Sequence, residues 1–483
     1  GLPPKIAKTV RDFRTERTWK TMSEDSLSLE RAVARFVVTY THADIDAATL
    51  EAVKGLIKDQ FAIQVGASVL PWSQKTLAFR SPRPGKATIV NHTAKGAAVD
   101  AAYVNASYGH GFEYDDFFGN AHPGCAVVPA AFAMAEEVGA TLEDTITALV
   151  VGYETYVRIG KWGSPAVLNE GWQPHAIWAG FGIAALAAKM YGLSEDETFH
   201  ALAIALSHAS GPTEYASSGG SIKRIHAGIA VRNGIESAEL ARAGITGPRN
   251  FLTGNRGLYK MFCDKDVGPE AIADFLPGAP NLMPGLSYKA YCCCACTFSY
   301  IEAMQGVQDR AQDIERIDAR VQTMVNSIVG TRNANIYTPR NIEEVQYSLP
   351  AQMALSVLGK GNGFQAHHAI LEGKLDLGAG SEVREMLEKV KIEISPDLDA
   401  KYKYFVADVD VRYKDGTTQH IFQEQSTGSP MKPFTPEAHL KKLDDLTEQV
   451  IGLEQAHRLW ALVDAMDPAT PVSALTALLV PGA

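Results

Sequence analysis

The pattern that most restricts how this chain can fold is the recurrence of Ala- and Gly-rich helical stretches, each entered through an irregular polar segment carrying a His or a Lys. His122-Pro123-Gly124-Cys125 opens one, Gly171-Trp172-Gln173-Pro174-His175 another, and Gly219-Gly220-Ser221-Ile222-Lys223-Arg224-Ile225-His226 a third. Small residues on a helix face let a second helix approach closely, so these stretches must pack on one another. The entering segments then place polar side chains at helix N-termini, where unpaired N–H groups and the helix dipole favour a bound anion. No strict sequence repeat accompanies the pattern.

A chain of 483 residues exceeds one simple core, which predicts two domains or one large domain with an insertion. Hydrophobic content of 46% against 21% charged fits a well-buried globular protein. The net charge of −10 and the lack of a local basic patch exclude a nucleic-acid or membrane-surface partner. Four of the six cysteines crowd into Cys292, Cys293, Cys294 and Cys296, which is no disulfide framework. With neither a signal peptide nor a long apolar span, the expected compartment is the reducing cytoplasm. Residues 1–14 read as a polar tail.

Helical periodicity is expected over residues 27–39, 47–69, 126–137, 142–158, 176–191, 195–209 and 236–243. After about residue 285 the character changes: a helix is expected at 297–307, a strand at 321–329, and short helices at 349–358 and 382–390. Residues 405–411 alternate apolar and polar, Asp415-Gly416 supplies a turn, and 418–423 returns as the partner strand. Helices are expected again from 437 to 466. The resulting division is a mainly α protein: a large all-helical domain made of residues 1–285 and 434–483, with an α+β lid domain, 286–433, inserted between.

Phosphate-loop, dinucleotide-binding, zinc-protease and nucleophile-elbow motifs are absent, which argues against nucleotide chemistry and hydrolase triads. Adjacent cysteines surround one ion poorly, so no metal site is assigned to the Cys292 to Cys296 run. The candidates that remain are cations at a helix start, Lys223 and Arg224; the acidic loop Glu113-Tyr114-Asp115-Asp116; and His122, His175 and His226, each at the entrance to an Ala-rich helix. Fixed cations with an imidazole nearby suit acid/base chemistry on a bound carboxylate or phosphate.

These residues resemble a known family. Glu113-Tyr114-Asp115-Asp116, His122-Pro123-Gly124 with Pro129-Ala130-Ala131, Val151-Gly152-Tyr153-Glu154, Ser221 to Gly228 and Lys289-Ala290-Tyr291 are similar, in order, to segments of the MmgE/PrpD family of 2-methylcitrate dehydratases, cis-aconitate decarboxylases and iminodisuccinate epimerases. The resemblance implies a homodimer needing no metal or organic cofactor, with its active site in the cleft between the helical and lid domains. It implies His122 as the principal acid/base, with His175, Glu113 or Asp115 in support, and Lys223 and Lys289 holding a small di- or tricarboxylate. Arg224, Gln173, Cys294 and Phe117 are expected on the substrate side. The chain departs from the pattern at Gln173, where decarboxylase-like members carry His, at Phe117 in place of a small hydroxyl residue, and at Phe298, another frequent His; Cys294 stands where some members have His and others Cys. A lyase follows as the first expectation, an epimerase of an amino- or imino-dicarboxylate as the second, and a non-catalytic carboxylate-binding protein as the third.

Overall fold

The structure is a computed structural model and describes residues 27–482; the expected polar tail lies outside the described residues. The larger part is a helical assembly of α1 (Leu29–Thr39), α2 (Ala47–Ala67), α3 (Ala98–His110), α4 (Gly124–Val138), α5 (Leu142–Gly163), α6 (Pro174–Met190), α7 (Glu195–Ala205) and α8 (His226–Arg242). A short strand, β1 (Pro84–Ala87), lies between α2 and α3. Several starts are fixed by side chains: Ser28 and Asp46 accept the backbone N–H three residues on, and Thr141/Asp144 and Ser194/Glu197 form reciprocal capping boxes.

The small residues do what their spacing demands. A Cβ added at Gly182 on α6 would lie 2.7 Å from the Gly152 carbonyl on α5, and one at Gly234 on α8 would lie 2.8 Å from the Ala184 nitrogen. Contacts that close leave no room for a methyl group, so α6 is clamped between α5 and α8, and residues 174–188 are buried all round. This rigid centre carries the helix starts at Gly124, Pro174 and His226.

A second apolar core belongs to the α+β part. It comprises α9 (Phe298–Gln305), β2 (Ile314–Val321), α10 (Leu349–Val357), α11 (Phe364–Leu371), β3 (Val390–Ile394), β4 (Ala407–Tyr413) and β5 (Thr418–Gln423). The sheet order is β3-β2-β4-β5, with β2 and β3 parallel and the remaining pairs antiparallel. Ile317, Ala319 and Val321 of β2 and Val409 and Val411 of β4 face this core. The other face carries cross-strand ion pairs, Arg320 with Asp408 at 2.6 Å and Arg412 with Asp318 at 3.0 Å. After the α+β part come α12 (Pro436–Thr447), α13 (Leu453–Ala465) and α14 (Val472–Ala477), whose Leu443, Leu446, Leu459, Val463 and Leu475 join the first core.

Two sequence expectations are corrected. The strand expected at 321–329 is β2 at Ile314–Val321 followed by a helix, Thr323–Val329. Its β-branched residues Val325 and Val329 stand four apart on one buried face, and Asp399 caps the Thr323 N–H at 3.1 Å. The helix expected at 382–390 stops at Leu387, because Val390 is taken into the sheet opposite Ile317. Among the described residues, no helix is long and apolar enough to cross a membrane.

Candidate active site

The acidic loop leaves the C-terminus of α3 and turns back at Glu113, a non-glycine residue with φ +57°. That left-handed conformation costs on the order of 1 kcal/mol or more and is held by several bonds. Lys289 Nζ donates to the Glu113 carbonyl at 3.2 Å and to Oε2 at 3.0 Å, Lys223 Nζ donates to Oε1, and the Tyr347 hydroxyl reaches Oε1 at 3.1 Å. One buried carboxylate is thus gripped by cations from two separate parts of the chain. Lys442 on α12 ties down the next carbonyl, that of Tyr114, at 3.0 Å while pairing with Asp59 at 2.7 Å.

Lys289 is placed by the connecting segment after residue 285, which is stitched on both sides. Ser287 and Phe117 exchange backbone bonds of 2.8 and 2.9 Å, the Tyr288 N–H meets the Gly428 carbonyl at 2.8 Å, and the Cys294 N–H meets the Gln346 carbonyl at 3.1 Å. Lys223 sits in a short 3-10 turn, Ile222–Ile225, after Gly219 and Gly220, whose φ values of +89° and +111° suit glycine.

Behind the carboxylate lies a chain of imidazoles whose tautomers are set by their partners. Asp115 Oδ2 accepts from His110 Nδ1 at 2.8 Å, so His110 Nε2 is free to accept from the Gln173 amide at 3.4 Å, and the Gln173 carbonyl oxygen accepts from His226 Nδ1. His122 Nδ1 donates to the Asp116 carbonyl at 2.9 Å, which leaves Nε2 as its basic nitrogen. Tyr156 accepts from the His122 backbone N–H at 3.1 Å, and its hydroxyl meets His175 Nδ1 at 3.0 Å. His175 stacks on His110 with ring centroids 4.8 Å apart.

The electrostatics follow from burial. It lowers His122 to about 4 and His226 to about 3, and it lowers His110 and His175 too, so all four rings are neutral near pH 7. Burial also acts to raise Asp115, but His110 and His122 outweigh it and hold the carboxyl below its usual range. Asp116 is pushed well up by burial beside Asp115 and Asp59. Burial first, then Lys289 and Arg224, draw the Lys223 ammonium well down, with Cys294 acting against them; its nitrogen contacts the Glu113 carboxylate. Cys294 falls to about 6, chiefly through its bond from Cys296 and, against burial, through Lys289 and Lys223.

The sequence candidates therefore divide. Glu113, Lys223, Lys289 and Cys294 share one electrostatic neighbourhood, and Asp115 and His122 adjoin it. Gln173 and His175 lie behind, bonded to other site residues. Arg224 is fully engaged by Glu343 at 3.0 Å, the Gly111 carbonyl and Gln346 at 3.3 Å, and lies 3.9 Å over the Trp72 ring. The Phe117 ring packs with Cys293, Phe298 and Ile301. A cavity of about 210 Å³ opens beside Glu113, Lys223 and Arg224, roofed by Asn333, Asn335 and Tyr347 of the α+β part.

His110, Asp115 and Cys125 place donor atoms within 4.8 Å of one another and are the described residues arranged to surround a cation. The cysteine run has no such convergence: Cys292 Sγ donates to the Phe112 carbonyl at 3.0 Å and Cys293 Sγ meets the Thr297 hydroxyl at 3.2 Å. His110, Tyr156, Gln346 and Tyr347 were not singled out by sequence. His110, between two glycines just before the acidic run, carried a local cue; the other three lie in ordinary helical or turn contexts.

Residues 31–270 match the MmgE/PrpD N-terminal domain and residues 291–468 the MmgE/PrpD C-terminal domain. The chain is 28% identical over 466 residues to a cis-aconitate decarboxylase of Aspergillus terreus, covering 90% of this chain and 92% of the relative. It is 26% identical over 480 residues to the cis-aconitate decarboxylase-like protein oryM of Aspergillus oryzae, covering 92% and 96%. It is 26% identical over 390 residues to human cis-aconitate decarboxylase, covering 78% and 79%.

Proposed function

We propose that this chain, which belongs to the MmgE/PrpD family, is a lyase that acts on a small carboxylate-bearing substrate by acid/base proton transfer. The observation that carries the reading is the convergence of Lys223 and Lys289 on a single carboxylate, Glu113, that borders a cavity, with the His122 imidazole within the electrostatic reach of Lys289. Removing a proton next to a carboxylate, or losing carbon dioxide from it, leaves an electron pair that spreads onto oxygen as an enediolate. Fixed cations stabilise that charge, and removing one such donor costs about 2.7 to 4 kcal/mol of barrier lowering.

In this scheme His122 Nε2 takes the proton. The Asp116 carbonyl fixes its tautomer, and the buried Asp115 carboxylate 3.5 Å from Nδ1 stabilises the imidazolium as it forms. In a dehydration the electron pair then expels a β-hydroxide, which leaves as water with a proton. In a decarboxylation the carbon–carbon bond breaks, carbon dioxide departs, and the carbanion collects a proton from the protein. Decarboxylation is supported by the relatives described as cis-aconitate decarboxylases.

The test is incubation with cis-aconitate, 2-methylcitrate and iminodisuccinate in deuterated water. Carbon dioxide release or net dehydration supports a lyase. Deuterium entering recovered substrate without net loss moves the assignment to an epimerase, and silence across a wider carboxylate panel leaves a binding protein. Lys223→Ala is expected to abolish turnover, and near wild-type activity in that variant would remove the lysine from the site.

A further inference from the structure

We infer that Lys442, a residue of the C-terminal helices outside the cavity, positions the acidic loop for turnover, an inference that rests on reading this cleft as a lyase site. A close helix contact brings it there. A Cβ added at Gly66 on α2 would lie 2.7 Å from the Leu446 carbonyl on α12, so glycine is what lets the two helices approach so far. Lys442 and His439, on one face of α12, then meet Asp59 Oδ1 of α2 at 2.7 and 3.1 Å. Asp59 is fully buried and its Oδ2 has no hydrogen-bond partner among the described residues, so the carboxylate depends on this pairing. The Lys442 charge is matched by Asp59, and the side chain is not among those that border the cavity.

What Lys442 holds is backbone. Its Nζ donates to the Tyr114 carbonyl at 3.0 Å and stands 4.3 Å from the centroid of the buried Tyr114 ring. The preceding carbonyl, that of Glu113, accepts from Lys289 at 3.2 Å. Two consecutive peptide planes are thus clamped by lysines from separate parts of the chain, at the point where Glu113 takes φ +57°. The two clamps secure different things. Upstream, the Glu113 carboxylate keeps Lys223, Lys289 and Tyr347 whether or not Lys442 is present. Downstream, the Tyr114 peptide sets the direction in which the chain enters Asp115 and Asp116; the Asp115 carboxylate orients His110 and the Asp116 carbonyl orients His122. Loss of Lys442 therefore disturbs proton transfer rather than carboxylate binding.

Lys442→Met alone strands Asp59 in the core without its cation, so the experiment compares Asp59→Asn with the double variant Asp59→Asn/Lys442→Met, in which charge and counter-charge leave together. The double variant is expected to melt cooperatively and keep the KM of Asp59→Asn, with kcat about tenfold lower, because in Asp59→Asn the lysine still reaches Tyr114. Hydrogen exchange read by mass spectrometry is expected to be about tenfold faster over residues 113–118 in the double variant, and equal in the two over α4 and α6. Equal kcat in the two variants, a loss carried wholly by KM, or equal exchange over 113–118 overturns the inference and leaves the lyase reading standing. Absence of turnover by the wild type on every carboxylate tried removes the lyase reading, and the inference falls with it whatever the exchange shows.

Discussion

Replacing His122 by Gln separates the proton-transfer role of this side chain from its effect on stability. The imidazole has an ordinary value of 6.5 and is held at about 4 in the fold, first by burial. Between those values the unfolded chain binds a proton that the native site refuses, so protons favour unfolding as pH falls below 6.5. The contribution is intact above neutrality and exhausted near pH 4. Going from pH 7 to pH 5, this one group costs about 2 kcal/mol of stability. For a chain of this length the entropy of unfolding is about 1 kcal/mol per kelvin, so the loss equals about 2 °C in Tm. His122→Gln is therefore expected to show an acid-induced fall in Tm about 2 °C smaller than the wild type by scanning calorimetry. Turnover at pH 7 should fall by about 10² to 10⁴, the contribution of a positioned general base. An identical acid shift in both proteins would refute the claim that the ring is held neutral, and retained turnover would refute its role as base.

Arg224→Lys should act on the fold rather than on the substrate, because lysine cannot serve Glu343, Gly111 and Gln346 at once or stack on Trp72. A loss of about 2 kcal/mol is expected in denaturant titration, with KM little changed. Gln173→Leu removes the bridge between His110 and His226; kcat should fall by about tenfold and its pH profile should move, since His226 loses the partner that fixes its tautomer and His110 loses the donor to its Nε2. Exhaustive dialysis against a chelator should leave turnover unchanged, and loss restored by added zinc would convert His110, Asp115 and Cys125 into a metal centre.

Much of the local architecture was legible before the structure. Helical periodicity marks residues 27–39, 47–69 and 142–158, and helices stand at Leu29–Thr39, Ala47–Ala67 and Leu142–Gly163. Asp415-Gly416 announces the β4–β5 turn, with Gly416 at φ +83°. The pairing of Glu113 with Lys223 and Lys289 was not readable from spacing, because the partners stand 110 and 176 residues apart. Arg224 looked as free as Lys223 in the sequence; only the approach of Glu343, Gln346 and Trp72 distinguishes them.

The sequence by itself determined the helical class, the entrances at which polar side chains gather, and the residue types needed for proton transfer beside a carboxylate. These follow from short-range rules: periodicity, and the close approach that small side chains permit. The tertiary structure decided which cations meet on Glu113, which imidazoles are neutral, and which nitrogen of His122 is basic. Those properties depend on burial and on partners drawn from distant parts of the chain, and neither exists until the two cores have packed around residues 286–294.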